Sequence, residues 1–326
     1  MKIVVVGDIH GRDIWKKIIE TETFDLIIFL GDYVSSHEDI SEEQQIENLK
    51  ELLSYKEHNP DKVILLRGNH DMQHLGYKWA DCSGLFRGVR QWLSKDVHKR
   101  KFLKDTQWVY VKDNILFSHA GVSNTWFKKI ALRPDHPEDI NLLKPCDKFG
   151  FSFTSSIFDQ TGNTIDQPCT WIRPQALIRD ALPKYTQVVG HTPVTSLTDL
   201  NKYDHTLHIW LCDTLPFQYL VINDGKFEAK FIGPPTIQLK NRYGYKVWLE
   251  YVEGNDWKLK GDKDALTYLG VNYKDSGEIV AVDPSGGPFI CVDETLEGKT
   301  VTAIRQISGF LITLEDENKK DQSSIL

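Results

Sequence analysis

Five times in this chain a short apolar run ends and a side chain able to hold a metal ion follows within a few residues. Ile3 to Val6 leads to Asp8 and His10, Leu26 to Leu30 to Asp32, and Val63 to Leu66 to Asn69. Ile115 to Phe117 leads to His119, and Val188-Val189 to His191. Apolar runs of this length read as buried strands. Between them, Ile14, Trp15, Ile18 and Ile19, and later Ile46, Leu49, Leu52 and Leu53, fall at helical spacing. Asp13 is the expected cap of the first helix, and Ser41-Glu42-Glu43-Gln44 has the form of a capping box before the second. Strands alternating with helices imply α/β layering, and such sheets gather ligands at the carboxyl ends of their strands. All five stations are therefore expected on one rim. Glycine stands immediately before the ligand at four of them (Gly7, Gly31, Gly68 and Gly190), where a missing Cβ lets backbone and metal come close.

The remaining chain is ordered around those stations. An irregular, aromatic-rich helical region is expected from about Gly76 to Asp105. A hairpin of Trp108–Val111 and Ile115–Phe117 follows, turning at Asp113-Asn114. Residues 134 to 170, rich in Pro, Asp, Ser and Thr, read as a long surface excursion, and Pro174 opens a short helix. Leu207–Leu211, Tyr219–Ile222 and Phe227–Ile232 read as closing strands, the last two joined by Asn-Asp-Gly. Gly233-Pro234-Pro235 is the expected linker. It separates a first domain, residues 1–233, from a small β-rich domain, residues 234–326. In the latter we expect a short helix at Lys263–Leu269, a turn at 284–288, core aromatics at Trp248, Tyr251 and Trp257, and a polar tail from Glu315.

Composition narrows the function. With 326 residues, 40% hydrophobic and 26% charged, the chain has the make-up of a soluble protein of about two domains. A net charge of -7 argues against extended nucleic-acid binding and against an anionic membrane surface. Its five cysteines are scattered, never in C-x-x-C spacing, and suit a reducing compartment. The apolar run at Ile3–Val6 is too short for a secretory signal, so a cytoplasmic location is expected.

Carboxylate, imidazole and amide ligands without a thiolate suit Mn, Fe or Zn in a reactive site rather than a Cys-type structural zinc. Asn-His-Asp at a strand end is commonly ordinary turn chemistry, and a lone histidine is commonly a satisfied core residue. It is the repetition at equivalent points that argues otherwise.

Five motifs in this order resemble those of the calcineurin-like metallophosphoesterases, within them the phosphoprotein phosphatase and diadenosine tetraphosphatase branch. They are Gly-Asp-Ile-His-Gly at 7–11, Gly-Asp at 31–32, Leu-Arg-Gly-Asn-His-Asp at 66–71, Ser-His-Ala-Gly at 118–121 and Gly-His-Thr-Pro at 190–193. The likeness covers roughly residues 1–232. It implies a four-layer α/β/β/α sandwich, here with the small β-rich C-terminal domain appended. It also implies two divalent metal ions, manganese first with iron or zinc as alternatives. Asp8 and His10 would hold one, Asn69, His119 and His191 the other, and Asp32 would bridge them. His70 would be the general acid and Arg173, in Trp-Ile-Arg, a phosphate clamp; Arg67 would support its loop.

The implied activity is phosphatase chemistry. A metal-activated hydroxide attacks in line on a phosphomonoester, either phosphoserine/phosphothreonine protein or a small phosphate. A diadenosine polyphosphate hydrolase or a cyclic phosphodiesterase is the enzymatic alternative. A catalytically dead scaffold would be the non-enzyme reading, but it calls for eroded ligands, and all six ligand positions carry ligating side chains. One departure from the family stands out. Ser35 occupies the place of an Asp that orients the acid histidine, and Ser36 that of a phosphate-contacting Arg. Arg12 or Arg87 is the candidate replacement charge. His37 and His74 read as surface residues, and His205 and His208 as sheet-edge residues.

Overall fold

The computed structural model describes residues 1–232 apart from 37, 131–132, 134, 146–150, 153–161, 195, 203–207 and 215–217, and beyond them six strands. Two compact units divide the chain, Met1–Lys230 and Phe231–Leu326.

Two five-stranded sheets build the first unit. One sets β1 (Lys2–Val6), β2 (Leu26–Phe29) and β3 (Val63–Leu65) in parallel, with β1 central and in antiparallel register with β9 (Gln218–Asn223). The strand β10 (Lys226–Phe231) follows β9 through a turn at Asp224 and Gly225, both at positive φ, as a tight hairpin requires. The second sheet holds β5 (Ile115–Ser118), β6 (Thr186–Pro193) and β8 (Ile209–Asp213) in parallel. Antiparallel β4 (Val109–Lys112) and β7 (Thr198–Asp199) edge it.

Alternate side chains of a strand face opposite ways, and both faces of these strands are apolar. Ile3, Val5, Leu26, Ile28 and Leu30 pack in one buried cluster with Ile115, Phe117, Val188 and Cys212, so the two sheets lie face to face. On the first sheet's other face Val4, Val6, Ile27 and Phe29 are equally buried. There the ring of Trp15, in α1 (Trp15–Thr21), meets Phe29 at 6.0 Å. The indole also donates to Asn48 of α2 (Glu42–His58) at 2.9 Å. The outer face of the second sheet is covered by α7 (Pro174–Asp180), whose Ala176 and Leu177 pack on Val189, Ile209 and Leu211. The layering is helix, sheet, sheet, helix.

Several local expectations hold and others are corrected. Ser41 caps α2 through a full capping box with Gln44. Asp13 caps nothing: Ile14 is the N-cap of α1 and has no side-chain cap bond. Asn69-His70-Asp71 opens a helix, α3 (Asn69–His74), instead of forming a plain turn. The aromatic-rich region resolves into α4 (Arg87–Leu93) and α5 (Asp96–Asp105), preceded by a short 3-10 turn. A two-turn helix, α6 (Asn124–Ile130), has no counterpart in the sequence reading, because a helix that short shows too few periods to stand out. The excursion at 134–170 contains a 3-10 segment, Pro137–Leu142.

In the second unit one sheet runs in the order β11 (Thr236–Leu239), β12 (Val247–Val252), β13 (Asp256–Gly261), β15 (Thr300–Gln306), β16 (Phe310–Glu315), β14 (Glu278–Val280). Its strand pairings are antiparallel. The expected linker at 233–235, the helix at 263–269, the turn at 284–288, the tail beyond Glu315 and the side chains of Trp248, Tyr251 and Trp257 lie outside the described residues. Among the described residues no helix is long and apolar enough to cross a membrane.

Candidate metal centre

The parallel strands of both sheets end on one rim, and the six expected ligands meet there. After β1 the chain reaches Asp8, whose carboxylate accepts the backbone N–H of His191 at 3.0 and 3.1 Å. Two motifs 183 residues apart are thus joined directly. A Cβ on Gly190 would overlap that carboxylate, and one on Gly68 would overlap the carboxylate of Asp32. These glycines are required by close approach. His10, Asp32 and His191 all hold positive φ, which non-glycine residues sustain only when their surroundings over-determine it. For Asp32 the surroundings are explicit. The Asp71 carboxylate accepts the N–H of Asp32, Tyr33 and Gly68 at 2.8–2.9 Å, while Asp32 itself accepts the N–H of His70 at 2.9 Å.

Two groups of donors have their ligand atoms within 4.8 Å of one another: Asp8, His10 and Asp32, and Asp32, His119 and His191. Asp32 belongs to both. Asn69 joins the second group, its Oδ1 lying 3.0 Å from His119 Nε2. The imidazoles are oriented from behind by main-chain carbonyls. His119 Nδ1 lies 2.9 Å from the Leu30 oxygen, His191 Nε2 3.1 Å from that of Trp171 and His10 Nδ1 3.3 Å from that of Val34. Donation of one ring N–H to a carbonyl leaves the other nitrogen as the ligating atom, the usual arrangement around a bound metal. The donor set fits a pair of borderline or hard divalent cations.

Electrostatics point the same way. Burial raises the pKa of Asp8 well above the carboxylate range, and neighbouring Asp213 raises it further. Burial also drives Asp213 up, to about 6. Burial would raise Asp32 too, but the charges of His119 and His70 outweigh it and hold that carboxyl well below its usual value. For His119 burial works downward; Asp32 and Asp8 overcome it and push the imidazole up to about 10. A buried field negative enough to hold a proton on His119 is one that divalent cations neutralise.

His70 lies at the rim, its ring edge-on to His10 with centroids 5.4 Å apart, and burial lowers its pKa. Arg173 is the N-cap residue of α7. Its Nη1 donates to the His191 carbonyl at 3.2 Å and to Thr192 Oγ1 at 3.1 Å, which turns the guanidinium toward the same rim. The sequence-expected ligands, His70 and Arg173 are thus brought together. Arg67 is directed elsewhere: it donates to Thr106 Oγ1 and to the carbonyls of Leu103 and Thr106, under the Trp108 ring.

The departure at Ser35 and Ser36 has a structural answer. Ser35 Oγ donates to the Gly84 carbonyl at 2.6 Å, and Ser36 pairs with the Glu38 backbone. Of the two candidate arginines, Arg12 is the one at the site. It donates to the Asp8 carbonyl at 3.4 Å while Glu38 holds its Nε at 2.7 Å. Arg87 is exposed on α4 beside Leu85, Arg90 and Gln91.

Three neighbours were missed or misread in the sequence. His74 is no surface residue. Fully buried, its Nδ1 lies 2.7 Å from the His70 carbonyl, while Nε2 accepts the N–H of Phe86 at 3.0 Å. Asp213, at the end of β8, carries the same signal as Asp8 and Asp32, an apolar strand closing on an acid, and could have been found by it. Cys82 lies 3.8 Å from His70 Nδ1 and 3.5 Å from Asn69 Nδ2, and no sequence pattern marks it. His37 and His205 lie outside the described residues, and His208 is exposed just before β8.

The family model for calcineurin-like phosphoesterases matches residues 1–248. No curated protein matches the chain. Among solved structures, the cold-active protein-tyrosine phosphatase of a psychrophilic Shewanella species is similar at 17% identity and a TM-score of 0.50. That likeness covers 71% of this chain and 78% of that one. A protein serine/threonine phosphatase from Saccharomyces cerevisiae, described as similar to human phosphatase PP5, matches at 14% identity, 71% and 79% coverage and a TM-score of 0.45. A metallophosphoesterase from Sphaerobacter thermophilus matches at 13% identity, 71% and 89% coverage and a TM-score of 0.39. At 17% identity the first of these is a likeness of fold.

Proposed function

The chain belongs to the calcineurin-like phosphoesterase family, a family of two-metal phosphoester hydrolases, and on that premise we propose that it is a phosphomonoesterase acting on phosphoserine/phosphothreonine protein or a small phosphate. In this reading Asp8 and His10 would hold one divalent ion, Asn69, His119 and His191 would hold the other, and Asp32 would serve both. The observation that carries it is the double membership of Asp32, the one residue common to both donor groups. Such a metal pair supplies Lewis acidity, neutralising phosphoryl charge and acidifying coordinated water to a pKa of about 7.

The chain's own residues supply the rest. Arg173, held along one edge by the His191 carbonyl and Thr192, receives phosphate oxygens on its planar fork. His70 donates a proton to the departing alkoxide, the step that matters most for an alkyl ester. Buried Asp71 keeps the Asp32 loop and the α3 start in register by accepting three amides. Manganese is the first metal we propose, with iron or zinc as alternatives, and the cysteine pattern suits a reducing, cytoplasmic setting.

The test is a metal count joined to an activity screen. Purified protein is expected to bind two divalent ions per chain and, with manganese added, to hydrolyse phosphopeptides or small phosphomonoesters. Dinucleotide polyphosphates and cyclic phosphates are the contrasting substrates. Turnover confined to those would replace the monoesterase reading, and protein that binds metal yet hydrolyses none of them would favour a scaffold.

A further inference from the structure

The segment from Cys82 to Phe86 folds back over α3 and is fastened there at several points. Gln73 grips Cys82 from both sides: its Oε1 accepts the thiol at 3.0 Å and its Nε2 donates to the Cys82 carbonyl at 2.5 Å. Two residues on, the Gly84 carbonyl accepts Ser35 Oγ, and the Phe86 N–H reaches His74. Gly84 itself, at φ 73°, is pressed so close that a Cβ would collide with Ser35 Oγ and touch the His70 ring. With its backbone pinned in this way, the half-buried Cys82 sulfur lies between Asn69 and His70.

That location bears on both side chains. Asn69 Nδ2 donates to the sulfur at 3.5 Å, which turns the amide so that Oδ1 faces His119 Nε2. An amide reversed end for end would present N–H groups, which cannot ligate a cation. His70 Nδ1 rests 3.8 Å from the same sulfur, so the ring is bounded by Cys82 on one side and by His10 on another.

We infer that Cys82 is a positioning residue: its thiol, anchored on Gln73, sets the amide orientation of Asn69 and the ring orientation of His70. The inference rests on the proposed roles of Asn69 as a metal ligand and His70 as the proton donor. Groups that orient a ligand from outside the coordination sphere typically cost about 10- to 100-fold in metal affinity or turnover when removed.

Cys82→Val removes the donor and acceptor while adding one methyl group, whereas Cys82→Ser keeps both. The measurements are metal affinity by chelator competition, and kcat and KM on a phosphoserine peptide and on p-nitrophenyl phosphate, with thermal melts alongside. Cys82→Val is expected to weaken metal binding by about tenfold and to lower kcat on the peptide by about tenfold with little change in KM. Cys82→Ser is expected to recover most of both. In a His70→Asn background at saturating metal, Cys82→Val is expected to cost less turnover on the peptide than it does in the wild type, because the ring it positions is gone. Should Cys82→Val not fold, Cys82→Ala carries the same comparison. Wild-type metal affinity and kcat in the Val variant, or an equal turnover loss with and without His70, would overturn the inference. If His70→Asn instead slows both substrates equally, the proton-donor role fails, and metal affinity together with non-additivity still decides the role of Cys82.

Discussion

His74 offers a direct measure of how the α3 region is held together. Its imidazole is buried, receives the Phe86 N–H on Nε2 and faces the His70 carbonyl with Nδ1. That pattern fits the neutral ring with a proton on Nδ1 and leaves Nε2 no room for one. Burial accordingly lowers the pKa, from 6.5 to about 4. The sign of the consequence follows from linkage. Between those values the unfolded chain binds a proton that the folded chain refuses, so stability is full above about pH 6.5 and is lost as the pH falls toward 4. At about 1.4 kcal/mol per pH unit, the loss attributable to this one ring is about 3 kcal/mol. Domains are commonly stable by only about 5–15 kcal/mol, so the loss is large. The assay is urea denaturation at closely spaced pH values for the wild type and for His74→Gln. Glutamine can accept from Phe86 through its amide oxygen and does not titrate. Other groups also titrate in this range, and subtracting the variant's curve removes their share. The difference should be flat above pH 6.5 and bend downward below it. Parallel curves for the two proteins, or a His74 ring that titrates near 6.5 by NMR, would refute the buried-neutral account.

Three further outcomes are expected. Asp32→Asn should cut turnover by at least roughly a hundredfold and reduce bound metal while leaving the fold intact in melts compared without metal, because both donor groups lose their shared charge; near-normal activity with two metals bound would exclude the bridge. His70→Asn should slow an alkyl phosphate by about 10²- to 10⁴-fold and p-nitrophenyl phosphate much less, because nitrophenolate departs almost unaided; paired kcat measurements decide it. Residues 1–233 alone should stay soluble, bind metal and hydrolyse an aryl phosphate, and an unfolded or metal-free fragment would mean that the C-terminal unit completes the first domain.

The stations were legible in the sequence because each is a local statement: a buried strand ends, a glycine clears space and a ligand follows. Asp8, Asp32, Asn69 and His191 all obey it. What escaped depends on segments brought together from a distance. His74 sits on a helix of six residues, too short to display a buried face, and its burial is decided by a loop that returns twelve residues later. Ser35 looked like a loss when compared with relatives. In the fold its hydroxyl fastens the Gly84 loop, a contact spanning 49 residues that no motif encodes. Asp13 failed as a cap for the opposite reason. The local signal was present, but the turn before α1 is closed by backbone bonds, Lys16 N–H to the Asp13 carbonyl among them.

The antiparallel partner of β1 arrives very late. Lys2 pairs with Asn223 and Val5 with Leu220, so the strand that carries Asp8 waits for more than two hundred residues before its second edge is covered. At synthesis rates of about 5–20 residues per second, that interval is on the order of ten to forty seconds. Until then β1 has only β2 beside it, and His191, which anchors the Asp8 carboxylate, is also among the last parts of the unit to emerge. A ribosome-bound chain therefore carries Asp8, His10 and Asp32 long before His191 arrives to hold the Asp8 carboxylate. Until β9 emerges an apolar strand edge stands open, and a cell that makes this protein must keep that edge soluble for the whole interval.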